Sequence, residues 1–179
     1  MSHPHSLALV LQESEHTRDV FTGALAPSAF RKAVQTWTDE GARRQLPSST
    51  LLLVEVDWFT RPKRSEMATV LRIVSDIIRP RLRSSDVLGR IDDHTLGILL
   101  PTTPTLHAQR VGRRVVAAVS SRTPATGHPV TVSVGMASAL GARPWEAAAQ
   151  ALADARNEGG DRTVCALEPR IEDENELAA

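Results

Sequence analysis

Hydrophobic and polar residues recur along the chain with periods that predict four helices and four strands. Apolar residues spaced by three and four positions predict helices over residues 30–46, 67–78, 106–119 and 145–157. Short apolar and β-branched runs predict strands over residues 51–59, 87–91, 95–100 and 130–137. The last of these alternates strictly, which is typical of a strand buried on one face only.

The predicted elements end at residues that favour turns. Pro47 closes the first helix, Pro80 bends or ends the second, and Gly159 with Gly160 stops the last. The polar residues 92–94 separate two short strands and predict a hairpin. The order helix, strand, helix, strand-turn-strand, helix, strand, helix indicates a layered α/β or α+β domain.

Composition narrows the class of protein. The chain has 179 residues, of which 41% are hydrophobic and 23% charged, as expected for one globular domain. Lys plus Arg and Asp plus Glu number 21 each, so net charge gives no reason to expect nucleic acid or an anionic membrane as partner. The apolar runs are shorter than the ~20 residues of a membrane span. We expect a cytoplasmic protein, since residues 1–18 show no basic leader or cleavage site.

Cysteine content and the two ends of the chain add further limits. Cys165 is the only cysteine, which excludes an internal disulfide framework and a cysteine-based zinc site. Residues 1–18 predict a leader segment, residues 19–164 the folded domain, and residues 165–179 a solvated acidic tail with little to bury. The tail carries five acidic residues: Glu168, Glu172, Asp173, Glu174 and Glu176.

Several local motifs in this order resemble the GGDEF domain of diguanylate cyclases across residues 19–164. The matching residues are Asp19, Phe21, Thr22, Gly23 and Phe30 at the start, Glu55, Asp57 and Phe59 along the first strand, Leu100-Pro101, residues 130–135, Ala151-Leu152, Ala155-Arg156 and Gly159 to Arg162. The resemblance implies an α+β, nucleotidyl-cyclase-like fold, with a central, mostly antiparallel sheet of about five strands flanked by helices.

The signature turn departs from the family pattern. Where the family has Gly-Gly-Asp/Glu-Glu-Phe, this chain has Asp92, Asp93, His94, Thr95 and Leu96. Two-metal nucleotidyl transfer needs carboxylates for the metals and backbone that a nucleotide can approach closely. The turn therefore adds side chains and negative charge where the triphosphate would lie. Glu55 and Asp57 share a strand face, but without acidic partners we expect no metal and no cofactor there.

Two further departures favour an inactive enzyme. The family segment that contacts guanine and ribose is about four residues shorter here, over residues 59–68, and lacks its Asn, Asp and Gly-His. A phosphate-contacting Lys of the last helix is replaced by Arg156. We expect a degenerate, catalytically inactive domain. The opposing enzyme hypothesis predicts pyrophosphate release from GTP.

One family site is retained in sequence. Many cyclases carry an inhibitory Arg-x-x-Asp five residues before the signature turn, which binds cyclic di-GMP, and Arg83 and Asp86 have that offset. The motif alone is weak, because Arg90 to Asp93 and Arg170 to Asp173 also match it. A guanidinium can fork onto guanine or phosphate, and a carboxylate can accept from the opposite guanine edge. Further candidate ligand residues are Arg79 and, by alignment, Arg114.

The leading interpretation is therefore a catalytically inactive GGDEF domain that acts as a cyclic di-GMP receptor in bacterial second-messenger signalling. The resemblance also implies ligand-dependent homodimerisation, and such a receptor needs a protein partner. The main alternative is a nucleotide-independent protein interaction module on the same scaffold. A second alternative is a domain that binds GTP without turnover.

Overall fold

Helices and strands alternate through the part of the chain that the structure, a computed structural model, describes: residues 18–46, 48–57, 64–122 and 130–166. The helices are α1 (Pro27–Arg44), α2 (Arg64–Ile78), α3 (Thr105–Ser120) and α4 (Pro144–Asn157), and a 3-10 turn, Arg79–Arg81, follows α2. The strands are β1 (Thr50–Asp57), β2 (Val87–Arg90), β3 (Thr95–Leu100), β4 (Thr131–Ser138) and β5 (Thr163–Cys165).

The strands form one sheet with the order β2-β3-β1-β4-β5. All neighbouring strands are antiparallel except β4 and β5, which run parallel. The register places Glu55 of β1 opposite Thr95 of β3 and Ser133 of β4. The predicted α+β class and the mostly antiparallel, five-stranded sheet are confirmed.

Both faces of the sheet are covered. Alternate residues of β1 divide between two apolar clusters, since successive side chains of a strand point to opposite faces. Leu52 and Val54 pack in a cluster with α2 and α3, while Leu51 and Leu53 pack in a second cluster with α1 and α4. Glu55 and Asp57 continue the second series, so their side chains lie on the α4 face.

The prediction that β4 is buried on one face only is wrong. Residues 132–137 of β4 are buried throughout, because α3 covers one face of the strand and α4 the other. The approach of α4 is so close that a Cβ on Gly135 would lie 2.2 Å from the backbone nitrogen of Leu152. Strand β5 was not predicted from the hydrophobic pattern, since its three residues are too few to show a period.

Most element ends agree with the predicted turns. Helix α1 ends at Arg44, where Gln45 adopts a left-handed conformation with φ 50°. Pro80 lies inside the 3-10 turn that ends α2. Gly159 and Gly160 end α4 with φ 110° and 71°. Pro47 and Phe59 lie outside the described residues, as do residues 1–17 of the predicted leader (1–18) and residues 167–179 of the predicted acidic tail (165–179).

No helix in the described part of the chain is long and apolar enough to span a membrane.

Candidate functional site

Glu55 and Asp57 open into a small pocket of about 270 Å³ on the α4 face of the sheet. Arg156 of α4 and the two glycines that end that helix line the other side. Glu55 and Asp57 of β1 and Arg156 of α4 are therefore brought together.

The Glu55 carboxylate is paired with a cation of the protein itself. Its Oε1 lies 3.2 Å from Nη1 of Arg156, and the glutamate side chain is 14% exposed against 57% for the arginine. Burial raises the pKa of Glu55 above its ordinary value, and the Arg156 charge opposes that shift only in part. The Arg156 guanidinium therefore stabilises the ionised form of a Glu55 carboxyl group that burial would otherwise favour in its neutral form.

Asp57 accepts three hydrogen bonds from the protein. Ser133 Oγ donates to its Oδ1 at 2.7 Å, while Thr131 Oγ1 and the Asp161 backbone nitrogen donate to its Oδ2 at 2.8 and 3.0 Å. A Cβ on Gly160 would lie 3.1 Å from this carboxylate, so the glycine allows the turn after α4 to close over it. Burial and the Asp57 charge raise the pKa of Asp161. Through these hydrogen bonds Asp57 of β1 connects β4 and the turn after α4.

Mg²⁺ is usually bound through one or two carboxylates together with waters and substrate phosphates, in near-octahedral geometry. In this pocket Glu55 is paired with Arg156, and Asp57 accepts three hydrogen bonds, so both carboxylates already have partners within the protein. Within the described ranges, no three His, Cys, Asp or Glu side chains are arranged to hold a metal ion.

The turn between β2 and β3 is ordered by its own side chains. Asp92 Oδ1 accepts from the backbone nitrogen of His94 at 2.8 Å and lies 3.1 Å from its ring Nδ1. The same ring nitrogen lies 3.0 Å from Thr95 Oγ1, and Thr95 itself is buried. His94 and Thr95, which replace the acidic residues of the family signature, are thus engaged within the hairpin.

Arg90 forms an ionic network that the sequence analysis did not foresee. Its Nη1 donates to Asp19 Oδ2 at 2.8 Å, its Nη2 to Asp93 Oδ1 at 2.7 Å, and its Nε to the Asp92 backbone oxygen at 2.8 Å. The Arg90 and Asp19 side chains are only 13% and 11% exposed. The signal in the sequence is the match of Arg90 and Asp93 to Arg-x-x-Asp, a pattern that by itself does not identify an ion pair.

Asp19 belongs to the same network on the side of the first turn. Burial alone would raise the pKa of Asp19, but hydrogen bonds from Thr22 and from the Arg90 guanidinium outweigh it, and the pKa lies below its ordinary value. Thr22 donates to Asp19 Oδ1 through both its backbone nitrogen and its hydroxyl, each at 2.8 Å. The Asp-x-Phe-Thr-Gly motif is therefore a turn that presents a carboxylate to Arg90.

A larger cavity of about 820 Å³ lies beside the hairpin turn. It is lined by Asp19, Arg90, Asp92 and Asp93, together with Ala68, Thr69 and Arg72 of α2. The ion pairs of Arg90 with Asp19 and Asp93 therefore form part of its wall.

The predicted ligand pair Arg83 and Asp86 forms a tight turn before β2. Asp86 Oδ2 accepts from the Arg83 backbone nitrogen at 2.8 Å, and the Asp86 backbone nitrogen donates to the Arg83 carbonyl at 3.1 Å. Arg83 is exposed, and its guanidinium has no hydrogen bond or ion pair with any residue the structure describes. The turn holds the carboxylate and leaves the guanidinium facing solvent.

The two further candidate arginines differ from each other. Arg79 Nη2 donates to the Thr22 backbone oxygen at 2.8 Å and lies close to Gly23, so this side chain connects the 3-10 turn to the first turn. Arg114 is exposed on α3, and its guanidinium has no partner among the described residues. Helix α3 contacts the 3-10 turn.

Comparison with known proteins identifies the family. Residues 16–162 match the family described as "Diguanylate cyclase, GGDEF domain", and the chain belongs to this family. A comparison with curated protein sequences gives no significant match.

Solved GGDEF structures share the fold. The GGDEF domain of DgcB from Caulobacter crescentus, solved in complex with c-di-GMP, is 18% identical with a TM-score of 0.74, and the match covers 86% of this chain and 97% of that one. The diguanylate cyclase SiaD from Pseudomonas aeruginosa, solved in complex with its activator SiaC, is 25% identical with a TM-score of 0.73, covering 89% and 65%. The FimX GGDEF domain from the same species is 19% identical with a TM-score of 0.72, covering 82% and 97%.

Proposed function

We propose that this GGDEF domain is catalytically inactive and acts as a cytoplasmic receptor for cyclic di-GMP, which it binds through Arg83 and Asp86. The observation that carries the proposal is the free Arg83 guanidinium beside a carboxylate held in a tight turn. A guanine base offers two acceptors on one edge and two donors on the opposite edge, which suits this pair of side chains.

The surroundings of Arg83 support an anionic ligand. Arg81 and Arg79 precede it on the 3-10 turn, and α3, which bears Arg114, contacts that turn. Cyclic di-GMP carries two phosphates and two guanines, so its binding needs several cations. The related DgcB domain was solved with this ligand, which makes the ligand class reasonable for the fold.

The proposed loss of catalysis is supported by the state of the carboxylates. Glu55 is paired with Arg156, Asp57 accepts three hydrogen bonds, and His94 and Thr95 stand where the family has acids. A nucleotidyl transferase needs carboxylates to hold the ions that neutralise a triphosphate. The chain therefore offers the scaffold of a cyclase without a fitting set of metal ligands.

Calorimetric titration of cyclic di-GMP at physiological salt tests the binding proposal. We expect a Kd near or below ~1 μM, which corresponds to about −8 kcal/mol. Arg83→Ala should weaken binding by about 3 kcal/mol, roughly a hundredfold in Kd, because charged hydrogen bonds are lost. Asp86→Asn retains an oxygen that can accept from the Arg83 backbone nitrogen and isolates the role of the charge.

Arg44→Ala is the matched control for this titration. Arg44 is an exposed arginine at the end of α1, without a partner among the described residues, so its removal changes net charge equally. Equal weakening by Arg83→Ala and Arg44→Ala would reduce the effect to general electrostatics. An absence of heat at tens of micromolar, with folded protein, would overturn the receptor proposal.

A separate assay tests the proposed inactivity. Incubation with GTP and Mg²⁺ or Mn²⁺ should release no pyrophosphate above a buffer blank. Any release that Glu55→Ala abolishes would show that the domain is a cyclase. Competition of GTP with cyclic di-GMP in the titration would instead favour the hypothesis of a GTP-binding domain without turnover.

A protein interaction module is the second candidate function. Two adjacent apolar side chains of the first turn, Val20 and Phe21, are 89% and 56% exposed. Exposed apolar residues of this size often mark contact surfaces. A receptor also needs a partner, and ligand-dependent homodimerisation is part of the proposal. A stable complex with another protein that is unaffected by Arg83→Ala and by cyclic di-GMP would favour the module.

A further inference from the structure

Helix α3 presents a concentrated positive surface. Arg110, Arg113 and Arg114 are all exposed, and none of the three guanidiniums has a partner among residues 18–46, 48–57, 64–122 and 130–166. The helix contains no acidic residue, and none occurs in the sequence between Asp93 and Glu146. This basic surface stands out in a chain whose net charge is zero.

The spacing of the three arginines brings their charges together. Arg110 lies four residues before Arg114 and three before Arg113, so its side chain neighbours each of the other two on the helix surface. Like charges at these spacings destabilise a helix by a few tenths of a kcal/mol per pair. An anionic group placed against this surface would remove that repulsion.

The end of the described chain lies against the same helix. Thr163 of β5 packs against Gly112 of α3, where an added Cβ would meet the threonine Cγ2 at 2.8 Å. The backbone nitrogen of Ala166 donates to the Met136 carbonyl at 2.7 Å, which fixes the course of the chain along β4. The described chain therefore ends at Ala166, three residues beyond the contact of Thr163 with α3.

We propose that the acidic segment 167–179 binds back onto the basic surface of α3 formed by Arg110, Arg113 and Arg114. The segment supplies five carboxylates: Glu168, Glu172, Asp173, Glu174 and Glu176. Thirteen residues span up to about 44 Å when extended. The whole of α3, 16 residues or about 24 Å long, lies within that reach.

Attachment to the same chain makes this segment the preferred occupant. Single exposed ion pairs are weak, but a short tether raises the local concentration of the segment to about the millimolar range. An apolar contact is also available: Leu106, one turn before Arg110, is 72% exposed, and the segment contains Ile171 and Leu177. A free acidic peptide of the same sequence would lack the advantage of the tether.

The proposed contact has a regulatory consequence, which alone rests on the proposed function. Arg114 belongs both to this surface and to the candidate cyclic di-GMP site, so the acidic segment and the ligand would compete for it. Neutralising the segment should therefore tighten cyclic di-GMP binding by about threefold at low salt, because several weak ion pairs no longer compete.

Paramagnetic relaxation measurements on the full chain test the contact without nucleotide. Cys165→Ala with Ala178→Cys places one nitroxide label near the end of the segment, and 15N spectra report which amides it broadens. At low salt we expect strong broadening along α3 and little along α1, and loss of the α3 effect near 1 M salt, where the Debye length is about 3 Å.

Two charge variants supply the controls. In one, the five acids become Glu168→Gln, Glu172→Gln, Asp173→Asn, Glu174→Gln and Glu176→Gln, which keeps the tether and its length. In the other, Arg110→Gln and Arg113→Gln remove two positive charges, with Arg43→Gln and Arg44→Gln on α1 as the matched control. Both charge variants should abolish the selective broadening of α3, and the α1 control should not.

Three outcomes would overturn the proposal. Broadening equal on α1 and α3 would show a segment that does not bind, and broadening unchanged by the two arginine substitutions would show a contact unrelated to their charge. Broadening transferred from a spin-labelled molecule to a separate 15N-labelled one would identify a second copy as the occupant. An absence of cyclic di-GMP binding would refute the receptor function and leave the relaxation result standing.

Discussion

Replacing Arg90 by methionine should destabilise the protein more than any other single loss of charge in the described chain. Methionine keeps the apolar stem and removes the guanidinium that contacts Asp19, Asp93 and the Asp92 carbonyl at 2.7–2.8 Å. Asp19, 11% exposed, then keeps only the two hydrogen bonds from Thr22. A buried carboxylate without its counter-ion is the main cost.

The size of the effect follows from the exposure of the two acids. Breaking a buried ion pair from one side costs about 3–5 kcal/mol, whereas an exposed pair contributes at most about 1 kcal/mol. The ion pair of Arg90 with Asp93 is of the exposed kind, since the Asp93 side chain is 47% exposed. We expect a loss of about 3 kcal/mol at pH 7 for Arg90→Met. For a chain of this size that lowers Tm by about 9 °C.

The effect should depend on pH in a defined direction. The pKa of Asp19 is depressed in the folded protein, so the ionised carboxylate contributes stability above its unfolded pKa, which is lost as pH falls through the folded value. Without Arg90, the pKa of Asp19 should lie closer to its ordinary value. The deficit of Arg90→Met should therefore be largest at neutral pH and smaller below about pH 4.

Urea denaturation followed by far-UV circular dichroism measures these differences. Asp93→Asn is the control and should cost less than about 1 kcal/mol. The double variant Asp19→Asn with Arg90→Met should be less destabilised than the sum of the single variants, because the orphaned charge is gone. A loss below about 1 kcal/mol for Arg90→Met, or strict additivity, would refute the importance assigned to the buried pair.

Three other substitutions test the packing and the small pocket. Gly135→Ala should destabilise by about 3 kcal/mol in urea denaturation, because its Cβ meets the backbone of α4 at 2.2 Å; a neutral result would contradict this close approach. Asp57→Ala should lower the free energy of unfolding by about 2 kcal/mol and speed hydrogen exchange of the Asp161 amide, since three hydrogen bonds are lost. Unchanged exchange would show that Asp57 does not hold the turn after α4 in place. The free energy of unfolding of Glu55→Gln should rise relative to that of the wild type as pH increases from 4 to 7. The pKa of Glu55 is raised in the folded protein, so ionisation of this carboxyl opposes folding in the wild type and is absent from the variant. Urea unfolding curves at both pH values check the sign.

The fold could be predicted from the sequence because its elements carry their own periods. The four helices repeat every three to four residues, and β1 and β3 are continuous apolar runs. Strand β4 shows the limit of this reasoning. Its alternation predicted one polar face, yet small residues such as Ser133, Gly135 and Ala137 are also compatible with burial when a helix packs closely against them.

The site was less predictable because its partners are distant in sequence. The position of Arg83 and Asp86 relative to the hairpin could be derived by counting, but the contact of Arg90 with Asp19 joins residues 71 positions apart. Asp57 likewise receives hydrogen bonds from Thr131 and Asp161, far along the chain. Such contacts depend on strand register and on the turn after α4, neither of which a local pattern determines.

The acidic hairpin turn and the first turn of the domain stabilise each other through Arg90. Asp92 and Asp93 stand where the family signature has two glycines, and they add two negative charges to the turn. In the folded protein Asp93 pairs with Arg90 and Asp92 caps His94, so both carboxylates stabilise the hairpin. Reversion of Asp92 and Asp93 to glycine would therefore remove these contacts without supplying a metal ligand. The proposed loss of catalysis is thus coupled to the stability of the turn.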